Sequence, residues 1–119
     1  MLKLSIIIPV YNSSKILEKL ITEINSSLSG RFKKDYEIIL VNDFSKDNSW
    51  DIIKKISKEF NLIKGIDLNY NLGQHGALFV GLKYSTGNKI IIMDDDLQHP
   101  PQSLISIYEQ LDLYDACYT

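Results

Sequence analysis

Hydrophobic residues along the chain fall into short continuous runs that alternate with longer stretches of helical period. Leu4–Val10 is one such run; it is rich in β-branched residues and too short for a helix, so it predicts a buried strand. Similar runs at residues 37–41, 62–68 and 89–93 predict further strands. Between the strands, apolar residues recur every three or four positions, which is the pattern of a helix that packs one face against a core.

Local signals set the expected ends of the helices. We expect the first helix to begin after an N-cap at Ser13 or Ser14 and to end at Gly30. Asp47 or Ser49 is expected to cap the second helix, and further helices follow the third and fourth strands. The predicted order is β-α-β-α-β-α-β-α. Because such crossovers are right-handed, this order predicts an α/β fold with an open, doubly wound, mainly parallel sheet of strand order 3-2-1-4.

Composition and charge narrow the class of protein. A chain of 119 residues, 45% of them hydrophobic, suits one domain over residues 1–119. Its 13 Lys and Arg against 15 Asp and Glu give a net charge of −2 without a basic stripe, which argues against nucleic acid as a partner. The single cysteine, Cys117, excludes an internal disulfide and fits a reducing compartment. No apolar run approaches the roughly 20 residues of a membrane helix, so we expect a cytoplasmic domain.

Polar side chains follow the predicted strands at the point where each strand ends. Tyr11 and Asn12 follow the first strand, Asn42 and Asp43 follow the second, and a polar run at residues 94–98 follows the fourth. In open α/β sheets, ligands bind outside the carboxyl ends of the strands. The sequence therefore predicts a ligand site at this edge of the sheet.

The acidic triplet after the fourth strand is the strongest chemical signal. In extended backbone, Asp94 and Asp96 share one face while Asp95 points elsewhere, and Gln98 continues the register of the first two. Carboxylate and amide oxygens suit Mg²⁺ or Mn²⁺, and a cation would offset the repulsion between adjacent acids. The alternative is a solvated acidic turn that caps the next helix.

A second polar cluster lies after the second strand. An ionised Asp43 can accept a hydrogen bond from a nucleobase ring N–H, whereas Asp47 is better explained as a turn and capping residue. Residues 73–76 could bring backbone N–H groups to a phosphate, although they match neither G-x-G-x-x-G nor the P-loop. His75 and His99 are loop histidines, which are more often neither ligands nor acid–base groups.

Taken together, these segments resemble the family 2 glycosyltransferases. The similarity is nearest to the branch that moves sugars onto polyprenyl phosphates, such as dolichyl- or undecaprenyl-phosphate. It spans nearly all of the chain but only the nucleotide-binding first half of the family's catalytic domain. The resemblance therefore implies the Rossmann-like first half of a GT-A fold. The segments that carry the resemblance are residues 5–12, 37–45 with Asp47, 71–78 and 92–101.

The resemblance also implies roles for individual residues. The residues implied to contact the nucleotide are Pro9, Tyr11, Asn12, Asp43, Asp94 and Asp95. The residues implied to hold a metal in a DXD motif are Asp94, Asp96 and Gln98. The family's acceptor-side acid is expected beyond Thr119, so no catalytic base is assigned. The sequence departs from the family's pattern at Ser13, where Glu is frequent, at Phe44, where Gly is usual, and at Gln102, where an acid is common.

The implied activity is the metal-dependent transfer of a sugar, with inversion, from a nucleotide-diphosphate donor that carries UDP or GDP. The implied cofactor is Mg²⁺ or Mn²⁺, and the implied acceptor is a polyprenyl phosphate. The family's membrane-associated helices, where present, would lie downstream and place the longer protein at the cytoplasmic face of a membrane. We expect the chain to be truncated relative to the family and to transfer poorly alone.

Competing interpretations make different predictions. A signalling receiver domain has similar architecture but needs an acidic pair after its first strand, where this chain has Tyr11 and Asn12. A nucleotide-binding module without transferase activity predicts binding without turnover. A purely structural α/β domain predicts no stabilisation by metal.

Overall fold

The computed structural model of the chain describes residues 2–95, 103–110 and 116–118, in which strands and helices alternate. The elements are β1 (Leu4–Val10), α1 (Leu17–Phe32), β2 (Tyr36–Asn42), α2 (Ser49–Glu59), β3 (Ile63–Asp67), α3 (Gly73–Tyr84), β4 (Lys89–Ile92), α4 (Leu104–Gln110) and β5 (Ala116–Tyr118). Over these ranges, no helix combines the length and the apolar character needed to cross a membrane.

The strands form one parallel sheet in the order β3-β2-β1-β4-β5. The predicted order 3-2-1-4 is confirmed. β1 lies at the centre, and all of its residues are buried, which accounts for its continuous apolar run. The sequence did not predict β5, a strand of 3 residues, because so short a segment has no measurable periodicity.

Both predicted ends of the first helix are wrong. No side chain caps α1, which begins at Leu17, after Ser13 and Ser14, and the carbonyl of Ser13 accepts the Leu17 N–H at 3.2 Å within the preceding turn. Gly30 lies inside the helix, which continues to Phe32. Phe32 is almost fully buried, so the packing of its ring outweighs the local tendency of glycine to end a helix.

Helices cover both faces of the sheet, as the doubly wound prediction requires. Even-numbered β1 residues such as Ile6 and Ile8 pack with α1, α2 and α4, whereas Ile7 packs with α3 on the opposite face. On that face Gly81 permits a close approach, because a Cβ at this position would lie 2.5 Å from the Ile7 side chain. The helix α3 therefore lies directly against the two central strands, β1 and β2.

A buried carboxylate joins the amino ends of three strands. Glu37 in β2 accepts hydrogen bonds from Ser5 of β1 at 2.6 Å and from the backbone of Thr86 at 2.7 Å. It also forms an ion pair of 2.6 Å with Lys64 of β3. Burial by itself raises the pKa of Glu37, but Lys64 and the hydrogen bonds from Ser5 and Thr86 outweigh it and lower the pKa below its usual value.

Glu37→Gln should make folding less stable at neutral pH and less sensitive to acid. Because the folded pKa of Glu37 is lowered, the ionised group stabilises the fold above the pKa of an unfolded glutamate, about 4.3. That contribution is lost as the pH falls through the folded pKa. We expect the free energy of unfolding of the variant to be about 1–3 kcal/mol lower at pH 7, because a buried charge-assisted hydrogen bond is removed. Urea unfolding measured from pH 7 to pH 2 tests this.

The difference in stability between the two proteins should narrow below about pH 4.3. Glu59→Gln, which neutralises an exposed carboxylate at the end of α2, provides the control and should have little effect at any pH. A difference that stays constant over the pH series would contradict the assigned role of Glu37.

Candidate functional site

A cleft of about 460 Å³ opens at the carboxyl ends of β1, β2 and β4, the edge at which the sequence places a ligand site. It is lined by Pro9, Val10, Tyr11, Asp43, Asn71, Gly73, Gln74, Asp94 and Asp95. Five of the residues expected to contact a nucleotide therefore share one cavity. In particular, Asp43 and Asp94 come from separate loops and both line this cavity.

Asp43 is buried and held from several directions. Its backbone N–H donates to the carbonyl of Val10 at 2.8 Å, which continues the pairing of β1 with β2. Its side-chain Oδ1 accepts the Leu72 N–H at 2.7 Å, and its carbonyl accepts the side-chain amide of Asn71 at 3.2 Å. Leu72 immediately precedes α3, so the carboxylate lies at the positive end of that helix. The orientation of Asp43 in the cleft is thereby fixed.

Asn12 joins two of the loops beside the cleft. It adopts a left-handed backbone conformation with φ of 52°, which asparagine tolerates better than most residues. Its side-chain oxygen accepts the Lys46 N–H at 2.7 Å, and its own N–H donates to Ser45 at 3.0 Å. Asn12 is not among the residues that line the cleft. Its direct contact with a nucleotide stays a prediction.

Asp47 has the turn role that the sequence predicts, because its carboxylate accepts the backbone N–H of Ser49 at 2.9 Å and that of Ser14 at 3.1 Å. The prediction that Asp47 or Ser49 caps α2 is wrong, since the N-cap residue is Asn48, whose side chain makes no capping hydrogen bond. Burial raises the pKa of Asp47, but the hydrogen bonds from Ser49 and Ser14 outweigh it and lower the pKa. The carboxylate therefore fixes the start of α2 to the loop after β1.

The carboxylates of Asp94 and Asp95 diverge after β4, as alternating side-chain directions predict. Asp94 accepts the side-chain amide of Gln74 in α3 at 3.0 Å. Asp95 accepts the backbone N–H of Tyr11 at 3.1 Å and the hydroxyl of Ser13. Asp94 is thus held towards α3, and Asp95 towards the loop after β1.

The predicted metal site lies partly outside the described residues. Asp96, Gln98, His99 and Gln102 lie outside the described residues. Over residues 2–95, 103–110 and 116–118, no group of three His, Cys, Asp or Glu side chains is arranged to hold a metal ion. His75 is described; it is exposed in the first turn of α3 and is not among the residues lining the cleft.

Sequence reasoning missed two polar side chains of the cleft, Asn71 and Gln74. The helix α3 begins at Gly73, whose φ of 79° suits glycine. The Gly73 N–H donates to the side chain of Asn71 at 3.0 Å, which forms the turn into the helix. These residues also follow the carboxyl end of a strand, β3, so the rule that located the other polar clusters could have found them.

Phe44 occupies a conformation that favours glycine, the residue usual at this position in the family that the sequence resembles. Its φ is 58°, and its side chain is 52% exposed. A bulky residue in this region costs roughly 1–2 kcal/mol. The exposed ring offsets little of that cost, so Phe44 is a strained position beside the buried Asp43.

Replacing Phe44 should therefore separate backbone strain from the contribution of the ring. Phe44→Gly and Phe44→Ala both remove the ring, but only glycine adopts a positive φ without a Cβ clash. We expect the glycine variant to be about 1 kcal/mol more stable than the alanine variant in urea unfolding at pH 7. The same pair at the exposed Lys46, which does not have a positive φ, should favour alanine or be equal. Equal stabilities at position 44 would rule out strain there.

The parallel sheet, with helices on both faces and a cleft at the carboxyl ends of its strands, defines an open α/β domain. The family described as Glycosyl transferase family 2 matches residues 5–118. The chain belongs to this family.

Solved structures agree with this assignment. The structure of S. aureus TarS residues 1–349 is 30% identical, with a TM-score of 0.70, and the match covers 95% of this chain and 33% of that one. The same protein in complex with UDP-GlcNAc gives 26% identity and a TM-score of 0.74 over 95% of this chain and 32% of that one. The mannosyltransferase PcManGT from Pyrobaculum calidifontis, in complex with GDP-Man and Mn²⁺, shares the fold at 20% identity and a TM-score of 0.76, over 87% and 30% of the chains. The chain thus spans about one third of these structures.

Proposed function

We propose that the cleft binds a nucleotide-diphosphate sugar and that the protein to which this chain belongs transfers the sugar to an acceptor. The observation that carries this proposal is that Asp43 and Asp94, from the ends of two different strands, line one cavity with Tyr11. Membership of glycosyltransferase family 2 supports the reaction class. The structures of TarS with UDP-GlcNAc and of PcManGT with GDP-Man support the donor class.

In this proposal, Asp43 recognises the base. A carboxylate is an acceptor only, so it selects a base that presents a ring N–H. Because Leu72 and Asn71 fix the residue, little orientation has to be imposed when the ligand binds. Tyr11, which is 44% exposed beside Pro9, offers an aromatic face against which the base can stack.

Mg²⁺ or Mn²⁺ would be held at the end of β4. Asp94 supplies a carboxylate in the wall of the cleft, and Asp96 and Gln98 are the further ligands that we propose from the sequence. Hard oxygen donors of this kind fit either cation. Such a cation, when bound, neutralises negative charge on a departing diphosphate. The amide of Gln74 holds Asp94 in place for this role.

We further propose a polyprenyl phosphate as acceptor and transfer with inversion. A phosphate is already anionic near neutral pH, whereas a hydroxyl acceptor would need a general base. The chain would then be the nucleotide-binding part of a longer catalytic domain that works at the cytoplasmic face of a membrane. By itself it would bind the donor and transfer poorly.

A second candidate function is a nucleotide-binding module without transfer. Binding without turnover by the longer protein would support it.

Nucleoside diphosphates should stabilise the chain in a way that depends on the metal. A ligand that binds only the folded state raises the free energy of unfolding by about 2.7 kcal/mol at one hundred times its Kd. We expect UDP or GDP with Mn²⁺ to raise the melting temperature more than the nucleotide alone. Asp94→Asn should remove most of the increment due to Mn²⁺, whereas Asp35→Asn, an exposed site at the opposite edge of the sheet, should retain it. No shift with either nucleotide would refute the donor site.

Asp43→Asn should weaken nucleotide binding both with and without Mn²⁺. The amide keeps an oxygen for the Leu72 N–H but loses the charge, and a hydrogen bond to a charged group contributes about 1.5–3 kcal/mol. We expect a loss of affinity of about 10- to 100-fold in calorimetric titration. Circular dichroism checks that the helical content of the chain is unchanged. An unchanged affinity in the folded variant would exclude Asp43 from base recognition.

A further inference from the structure

Asp95 lies between the two acids predicted to hold the cation, but its carboxylate contacts the loop after β1. Its Oδ2 accepts the Tyr11 N–H at 3.1 Å and is also within hydrogen-bond distance of the Ser13 hydroxyl. That hydroxyl also lies 3.1 Å from the carbonyl of Tyr11. Because a hydroxyl has one proton and a carboxylate is the stronger acceptor, the proton is donated to Asp95.

Ser13 is itself anchored on the side away from Asp95. It is buried, and its backbone N–H donates to the hydroxyl of Ser49 at 3.0 Å. Ser49 is fully buried at the start of α2, and its hydroxyl donates to Asp47 at 2.6 Å. A continuous path of hydrogen bonds therefore runs from the end of β4, through the loop after β1, to the start of α2.

This path holds two residues that line the cleft. They are Tyr11, whose N–H donates to Asp95, and Asp94, the neighbour of Asp95 in the chain. Successive side chains of extended backbone point in opposite directions, so holding Asp95 against Ser13 turns Asp94 away from that loop. The distance between the Tyr11 ring and the Asp94 carboxylate then depends on Asp95.

We propose that Asp95 is a positioning residue, which acts through Tyr11 and Ser13 and is not a ligand of the donor or its cation. This inference rests on the proposed function of the cleft, and it revises the nucleotide contact that the sequence assigned to Asp95. Asp95 also lines the cleft, but its Oδ2 atom already accepts two donors from the loop after β1, so ligation through Oδ2 would require Asp95 to give up those donors.

The test compares UDP binding in the presence of Mn²⁺ for the unmodified chain, Asp95→Asn, Ser13→Ala and the double variant. If Asp95 and Ser13 act as one unit, each single change should lower the affinity about three- to tenfold, and the double change should lower it no further. Ser27→Ala, which removes a hydroxyl that donates to Glu23 within α1, is the matched control and should bind like the unmodified chain.

The electron paramagnetic resonance spectrum of Mn²⁺ in the saturated UDP complex separates positioning from ligation. A positioning role leaves the spectrum of Asp95→Asn unchanged while the Kd rises. A changed spectrum, or a loss in Asp95→Asn with none in Ser13→Ala, would identify Asp95 as a direct ligand and overturn the inference.

Two further outcomes are decisive. If the unmodified chain binds UDP and all three variants bind equally well, the inference fails while the proposed function stands. If the unmodified chain binds neither UDP nor GDP, the proposed function fails and takes the inference with it; if it binds GDP alone, the same variants are compared with GDP. Should Asp95→Asn not fold, Ser13→Ala alone must show the weakened affinity with an unchanged Mn²⁺ spectrum.

Discussion

The parallel pairing of β1 with its two neighbours is the constraint on which the rest of the structure depends. In this pairing Val10 of β1 lies beside Asn42 of β2, and Ile7 lies beside Ile92 of β4. All three strands therefore end at one edge, and the residues that follow them must share the space beyond it. A shift of β1 by one position would move each of its side chains to the opposite face of the sheet, whereas the close approach of Gly81 in α3 is fitted to Ile7. The register thus fixes which polar residues meet.

Acids brought together in this way repel one another, and the loops offset that repulsion with donors of their own. Asp47 and Asp95 accept backbone N–H groups from the loop after β1, and Asp43 accepts one from the residue before α3. Asp94 instead accepts a side-chain amide, from Gln74. Most of the negative charge at this edge is therefore used to hold the loops together, a role that short-range sequence patterns do not separate from ligand binding.

The fold was predictable where a local pattern had one interpretation. The apolar run Leu4–Val10 predicts a buried strand, which the structure confirms. The rule that ligands bind at the carboxyl ends of strands predicts that Asp43 and Asp94 share a site, and both line the cleft. The errors arose where distant contacts prevailed. Phe32 extends α1 past its glycine because its ring is buried, and Ser13 is used by Asp95, 82 positions away, instead of capping the helix beside it. Neither the burial of Phe32 nor the contact of Ser13 with Asp95 can be recognised from the residues that are near it in the sequence.

Glu37 in β2 and Asp43 directly after it show why burial alone does not identify a functional carboxylate. Glu37 and Asp43 are both almost inaccessible to solvent. At the amino end of the strand, Glu37 is paired with Lys64 and bonded to Ser5, and it is not among the residues that line the cleft. At the carboxyl end, Asp43 has a backbone donor and a place in the cavity wall. Glu37 is neutralised by a lysine, whereas, among the described residues, the Asp43 carboxylate accepts only a peptide N–H. Asp43 can therefore accept a further hydrogen bond, which the proposed recognition of a base requires.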